Sequence, residues 1–197
     1  IHGSTQLTVH SLAGVQMCAA MGMDRVVLSR ELNRQEIAYI CANSPIEIEI
    51  FGHGALCMCY SGQCYLSAMI GSRSGNRGRC AQPCRQSYGY SRWENKYPLS
   101  LKDNCLVHYV RELEEMGVAS VKLEGRMKRP EYVAVVTAVY RRLLDEGRGP
   151  TEEEARALYD AFSRSGFTDG YYRHRKGPAM FGTRPESAPE PKELFAQ

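Results

Sequence analysis

From Gly52 to about Asn95 the chain loses sustained helical or strand periodicity and gathers five of its eight cysteines among glycine, serine and arginine. An irregular stretch of that length inside a compact domain is usually functional, or is held by something other than a hydrophobic core. Only a short helix, near Tyr65 to Ile70, is expected within it. A bound metal centre would supply the missing order. The cysteines fall into the pattern C-x6-C-x15-C-x3-C at Cys57, Cys64, Cys80 and Cys84. Four thiolates on a glycine-rich scaffold suit zinc or an iron–sulfur cluster. Zinc sites usually pair their ligands at two to four intervening residues, which only Cys80 and Cys84 do; a cubane cluster, wider than one ion, accommodates the looser first pair. Spacing alone leaves zinc open. Cys59 and Cys105 could each stand in as a ligand, whereas Cys18 and Cys41 fall on apolar helix faces and read as buried hydrophobes.

A disulfide framework is the competing use of eight cysteines. The chain, at 197 residues, is well above the size at which domains need staples. Its start, Ile1-His2-Gly3, lacks a charged region followed by an apolar run, and no stretch approaches the roughly 18 to 20 apolar residues of a membrane span. Reduced thiols in the cytoplasm, with no membrane partner, are therefore expected.

The flanks of the cysteine segment alternate strand and helix signals. Gln6 to His10, Arg25 to Leu28, Ile46 to Phe51 and Ala119 to Leu123 read as strands. Ser11 caps a helix to about Met21, and Asn33 with Glu36 forms a capping box for a helix to Ala42. Helices are also predicted over Asp103 to Met116, from Pro130 onward, and over Glu152 to Phe162, with irregular chain after Gly166. Alternation of this kind implies parallel βα units. Polar clusters follow the strands (Ser29-Arg30-Glu31, His53-Gly54, Glu124-Gly125-Arg126), where (β/α) barrels carry their chemistry. A full barrel needs about 250 residues. The expected fold is thus α/β: a partial (β/α) TIM-barrel-like domain over residues 1–185, with a Cys/Gly/Arg-rich insertion at about 52–95 and a flexible tail at 186–197.

The net charge of +3 identifies no partner, but its distribution is informative. No Asp or Glu occurs between Gly52 and Trp93, while Arg73, Arg77, Arg79, Arg85 and Arg92 do, interleaved with Tyr60, Tyr65, Tyr88, Tyr90 and Trp93. Arginines among exposed aromatics suit RNA, the cations holding phosphates and the rings stacking on unpaired bases. Charge compensation of a cluster is the other use of the same residues. Protease motifs such as His-Glu-x-x-His and Gly-x-Ser-x-Gly are absent; a Cys57–His53 dyad is the one pairing to test. Glu124, Arg126, Lys102 and Asp103 complete the candidate catalytic residues, with Asp103 also a candidate helix N-cap.

Taken together, Glu49-Ile-Phe51-Gly-His53-Gly-Ala-Leu-Cys57, Tyr60-Ser-Gly-Gln-Cys64, Ser74-Gly-Asn-Arg-Gly-Arg-Cys80-Ala-Gln-Pro-Cys84-Arg, Ser100-Leu-Lys-Asp103 and Val121-Lys-Leu-Glu-Gly-Arg-Met-Lys-Arg-Pro-Glu-Tyr132 resemble the peptidase U32 family, over roughly residues 4 to 185. The resemblance implies a barrel-like catalytic domain whose first units are missing before Ile1. It implies oxygen-independent or prephenate-linked hydroxylation of RNA bases, at the tRNA wobble uridine or a cytidine of large-subunit ribosomal RNA, with tRNA favoured. Cys57, Cys64, Cys80 and Cys84 match cysteines that relatives use for a [4Fe–4S] cluster, with Cys105 as the alternative to Cys84. Implied partners are RNA, a prephenate-derived donor and a redox partner. The older description as collagenase-like proteases gives peptidase activity as an alternative; a non-catalytic RNA- or partner-binding module with structural zinc is a second. Gly52 replaces the hydrophobic residue that usually precedes His53, and is expected to loosen that strand end.

Overall fold

The computed structural model describes residues 1–89 and 97–183. It is a mixed α/β unit on one six-stranded sheet, predominantly parallel. Strand β1 (His2–Gly3) pairs parallel with β2 (Arg25–Val27), and β2 with β3 (Glu47–Gly54). Strand β4 (Asp103–Cys105) runs antiparallel to the end of β3, β5 (Ser120–Leu123) pairs parallel with β3, and β6 (Phe167–Thr168) pairs parallel with β4. The sheet is open and carries an antiparallel member, so the barrel-like expectation narrows to α/β with a parallel-dominated sheet.

The helices start where local chemistry allows. The Ser11 hydroxyl accepts from Gly14 N ahead of α1 (Leu12–Ala20), and Asn33 with Glu36 closes a full capping box on α2 (Arg34–Asn43). The short α3 (Leu66–Gly71) lies in the cysteine segment, and α4 (Val110–Glu115) follows β4. Pro130 occupies the first turn of α5 (Pro130–Glu146), and Gly147, at φ 58°, ends it. A second capping box, Thr151 with Glu154, begins α6 (Glu152–Ala161).

Three apolar clusters result, the smallest joining Leu56 of the cysteine segment to Leu101 and Met180. Val15, Cys18, Ile37 and Ile40 of α1 and α2 pack on Val26, Ile48 and Ile50 of the sheet. On α5 the positions Tyr132, Val136, Val139, Tyr140 and Leu143, one face at helical spacing, pack with Leu158 and Ala161 of α6 and with Cys105, Val107 and Val110. No helix among the described residues is long and apolar enough to cross a membrane.

Several predicted elements are corrected. The strand expected over Gln6 to His10 is instead a 3-10 turn at Thr5–Leu7, closed by Thr8 in the left-handed region at φ 55°; the strand is His2–Gly3. The helix expected from Asp103 begins only at Val110. Asp103 is not an N-cap: its carboxylate is buried against Arg164, and Asn104 Nδ2 donates to Phe51 O at 3.0 Å, which ties the segment into the sheet. The chain after Gly166 is not all irregular, since Phe167–Thr168 joins β4. Gly52 tightens rather than loosens the end of β3. A Cβ there would lie 2.2 Å from Val121 Cγ1, so only glycine lets β3 and β5 approach this closely. The predicted tail at 186–197 lies outside the described residues.

Candidate functional site

Beyond the carboxyl ends of β2, β3 and β5 lies a cavity of about 490 Å³. Five cysteines line it: Cys57, Cys59, Cys64, Cys80 and Cys84. Phe51 and Lys122 of the sheet line it, Arg30 and Glu124 follow the ends of β2 and β5, and Arg126 completes the rim. Chemistry in open α/β sheets gathers at this end of the strands.

The cysteine segment is folded by polar contacts more than by apolar burial. Glu31 accepts from both Ser61 N (3.0 Å) and Ser61 Oγ (3.1 Å), while the Thr8 hydroxyl donates to Ser61 O at 2.9 Å. Gly62, at φ +75°, sits where a Cβ would meet Thr8 Oγ1 at 2.7 Å and Gln6 O at 2.9 Å. Asn76 Nδ2 donates to Gly62 O at 2.9 Å, and Ala81 N to Ser67 Oγ at 2.9 Å. Arg126 Nη2 reaches Cys80 O at 3.1 Å, and Gln82 N donates to Cys80 Sγ at 3.3 Å.

All eight cysteines are free thiols. Burial pushes the Cys57 thiol up, Arg30 and Arg85 pull it down, and Cys64 and Cys80 push it up again. Cys84 is raised by burial first, with Arg85 opposing and Cys57, Cys80 and Cys64 reinforcing. Cys59 is raised by burial and by Cys64. The thiols are thus close enough to feel one another. Yet no group of three His, Cys, Asp or Glu among the described residues converges tightly enough for a single metal ion.

The remaining candidates separate. Glu124 faces the cavity, its Oε1 accepting from Arg126 N at 2.8 Å and its Oε2 3.9 Å from Arg30 Nη2. Arg73, Arg77 and Arg79 are exposed. Arg85 is not a surface phosphate contact: its guanidinium donates to the carbonyls of Leu56 and Leu101 and, at 3.1 Å, to Ser100 Oγ. Burial, with Arg164 nearby, draws its pKa below the ordinary guanidinium value. Cys105 is not brought to the cavity. It is buried beside the Tyr140 hydroxyl at 3.9 Å, and burial pushes its thiol up to about 11. Lys102 N donates to Met180 O at 2.8 Å, and its side chain lies against Gly182, away from the cysteines.

His53 forms no dyad with Cys57. It is 1% exposed, its ring packed against Tyr132, Tyr140 and Phe167, with Nδ1 3.4 Å from the Tyr140 hydroxyl. Burial, then the charge of Lys128, lowers its pKa to about 3. Arg92, Tyr90 and Trp93 lie outside the described residues. Two cavity residues lie in the named strand-end cluster and motif but are not among the candidate site residues. Arg30 and Lys122 line the cavity, the first at the strand-end cluster Ser29-Arg30-Glu31, whose position was the available signal.

The sequence model of peptidase family U32 matches residues 1–181. The chain is 40% identical over 157 residues to the tRNA hydroxylation protein P1 of Bacillus subtilis, covering 74% of this chain and 37% of that protein. It is 37% identical over 197 residues to a collagenase of Porphyromonas gingivalis, covering 87% of this chain and 47% of that protein. It is 37% identical over 194 residues to the 23S rRNA 5-hydroxycytidine synthase of Escherichia coli, covering 90% of this chain and 30% of that protein. The chain therefore spans between about a third and a half of the length of these relatives, and no solved structure matches it. With a match running through β1 to the last 3-10 turn, cysteine segment included, this chain belongs to the peptidase U32 family.

Proposed function

We propose that this chain holds a [4Fe–4S] cluster through Cys57, Cys64, Cys80 and Cys84 and takes part in hydroxylating an RNA base, in tRNA rather than ribosomal RNA. The observation that carries the reading is the gathering of five cysteines and a cationic rim on one cavity at the carboxyl ends of the strands. The loose Cys57–Cys64 spacing, with six intervening residues, suits a polynuclear group better than zinc. Backbone N–H groups and Arg126 order the Cys80 turn, as ligand loops require. Cys59 is a fifth thiol on the same cavity, and the assignment leaves it unligated.

The cluster, when bound, supplies one-electron chemistry. The chain supplies the RNA surface. Arg73, Arg77 and Arg79 are exposed on a segment without a single carboxylate, suited to phosphates. Tyr60 and Tyr65 are 72% and 63% exposed and line the cavity, where each offers a ring to an unpaired base. The relatives named for tRNA and ribosomal RNA hydroxylation support the reaction class. For a peptidase, the structure offers no comparable support, because the buried His53 lies against Tyr140 rather than beside Cys57 on the cavity.

Anaerobic purification with iron, sulfide and zinc analysis tests the cluster. About four irons per chain, lost in Cys57→Ala and Cys80→Ala but kept in Cys105→Ala, is the expected result; stoichiometric zinc would sink it. Mass spectrometry of tRNA nucleosides from a deletion strain tests the reaction. Unchanged hydroxyuridine would remove tRNA as the substrate.

A further inference from the structure

Of four cations near the cysteines, three have a close polar partner or open water. Lys122 Nζ pairs with Glu49 Oε1 at 3.0 Å. Arg85 is spent on two carbonyls and a hydroxyl. Arg126 donates to Cys80 O and is open to water.

Arg30 differs. Its guanidinium lies over the Phe51 ring, Cζ 3.6 Å from the centroid, with the side chain 8% exposed. Among the described residues its one ionic contact is Glu124, at 3.9 Å, and Nε is buried with no hydrogen-bond partner. Glu124 is itself engaged by Arg126 N. A single water in the ≈20 Å³ void that Arg30 shares with Ser29 would serve Nε but carry no charge. A buried cation with an unpartnered nitrogen and one counter-ion at 3.9 Å is unfavourable unless a further anion completes it. The same side chain lines the cavity with Cys57, Cys64, Cys80 and Cys84.

We infer that Arg30 is a positioning residue for the cysteine-bound cluster: it completes its charge with the cluster's and stabilises the more negative, reduced form. The inference rests on the cluster reading above. A cubane with four thiolates is a net anion that gains one further negative charge on reduction, so a fixed cation beside it raises its potential. The contact with the Phe51 ring holds the cation at the cavity wall.

The test is an EPR-monitored redox titration of the anaerobically purified full chain. In Arg30→Gln the midpoint falls, making the reduced-to-oxidised ratio at fixed poise at least tenfold lower, about 59 mV for one electron. Arg30→Lys keeps most of the wild-type potential, because the charge is retained. A ratio changed less than twofold in Arg30→Gln overturns the inference, as does a shift in Arg30→Lys equal to that in Arg30→Gln. If Arg30→Gln does not retain iron, Arg30→His replaces it. Its potential should rise as pH falls through the imidazole range, and a potential independent of pH there overturns the inference. A wild-type chain without iron overturns the cluster reading and this role together; an iron-loaded chain with insensitive potentials overturns this role alone.

Discussion

Replacing Arg85 by methionine separates a buried clamp from a phosphate-binding cation, the two uses open to an arginine in this segment. The substitution keeps an apolar stem and deletes the guanidinium. Three acceptors lose their donor: the carbonyls of Leu56 and Leu101 and the hydroxyl of Ser100, on residues 2%, 3% and 2% exposed. Each hydrogen bond from a charged donor contributes about 1.5–3 kcal/mol net. Deleting one partner of a buried charged network costs about 3–5 kcal/mol, since the three losses overlap. For a chain of this size one kcal/mol shifts Tm by about 2–4 °C, so Arg85→Met should lower Tm by roughly 6–20 °C. Thermal unfolding followed by circular dichroism reads this directly. RNA affinity, measured well below the transition, should stay at the wild-type value. A Tm within about 2 °C of wild type, combined with weakened RNA binding, would refute the clamp and return Arg85 to the surface.

Three further outcomes follow from the same geometry. Gly52→Ala forces a Cβ to 2.2 Å from Val121 Cγ1 and should destabilise by about 1–3 kcal/mol in denaturant unfolding; adding Val121→Ala should recover part of the loss, and a single variant as stable as wild type contradicts the close approach. His53 is neutral when folded, with a pKa near 3, but titrates normally once unfolded. The unfolded state therefore takes up about one extra proton below about pH 6.5, and stability present above that pH is lost as pH falls toward the folded value. Between about pH 6.5 and 5 the decline should be shallower in His53→Gln; identical slopes would show that the imidazole is not held neutral. Replacing Arg73, Arg77 or Arg79 by alanine should weaken RNA binding and flatten its salt dependence, by about 0.7 log units per log unit of salt for each single-strand phosphate no longer neutralised; unchanged slopes would exclude these arginines from the phosphates.

Much of the fold was legible because local chemistry and tertiary packing agree. Ser11, the Asn33–Glu36 box, Pro130 and the spaced apolar face of α5 each mark an element that forms. Strand β4 was not legible. Asp and Asn are poor strand formers, and what makes Asp103–Cys105 a strand is distant: Arg164 pairs with Asp103, and Asn104 reaches Phe51 O. Spacing grouped four cysteines; only the fold adds Cys59 to them and removes Cys105 to the aromatic cluster around Tyr140. Nor can sequence distinguish Arg85 from Arg77. Both sit in an acid-free stretch, and burial alone separates a clamp from a surface cation.

If the thiols hold a cluster as proposed, the cysteine segment itself depends on it. Among residues 55–89, Leu56 is the one fully buried apolar side chain; Ser61 and Ser67 are the other buried residues. Burying one leucine contributes about 1.5–3 kcal/mol, whereas fixing each backbone residue costs about 1–2 kcal/mol. The hydrogen bonds to Glu31, Thr8 and Ser67 reduce that gap without closing it. A group bound by four thiolates from both halves of the segment would close it, because its binding free energy acts directly as folding free energy. Iron removal should therefore loosen residues 55–89 while the sheet, with its two larger apolar clusters, persists. Trypsin reads the difference, since Arg73, Arg77 and Arg79 lie exposed in the segment. The iron-loaded chain should resist cleavage there, and the chelated chain should be cut at these three arginines first, with its far-ultraviolet dichroism largely kept. Equal cleavage rates with and without iron would mean that the segment holds its own fold and that the cysteines do not order it.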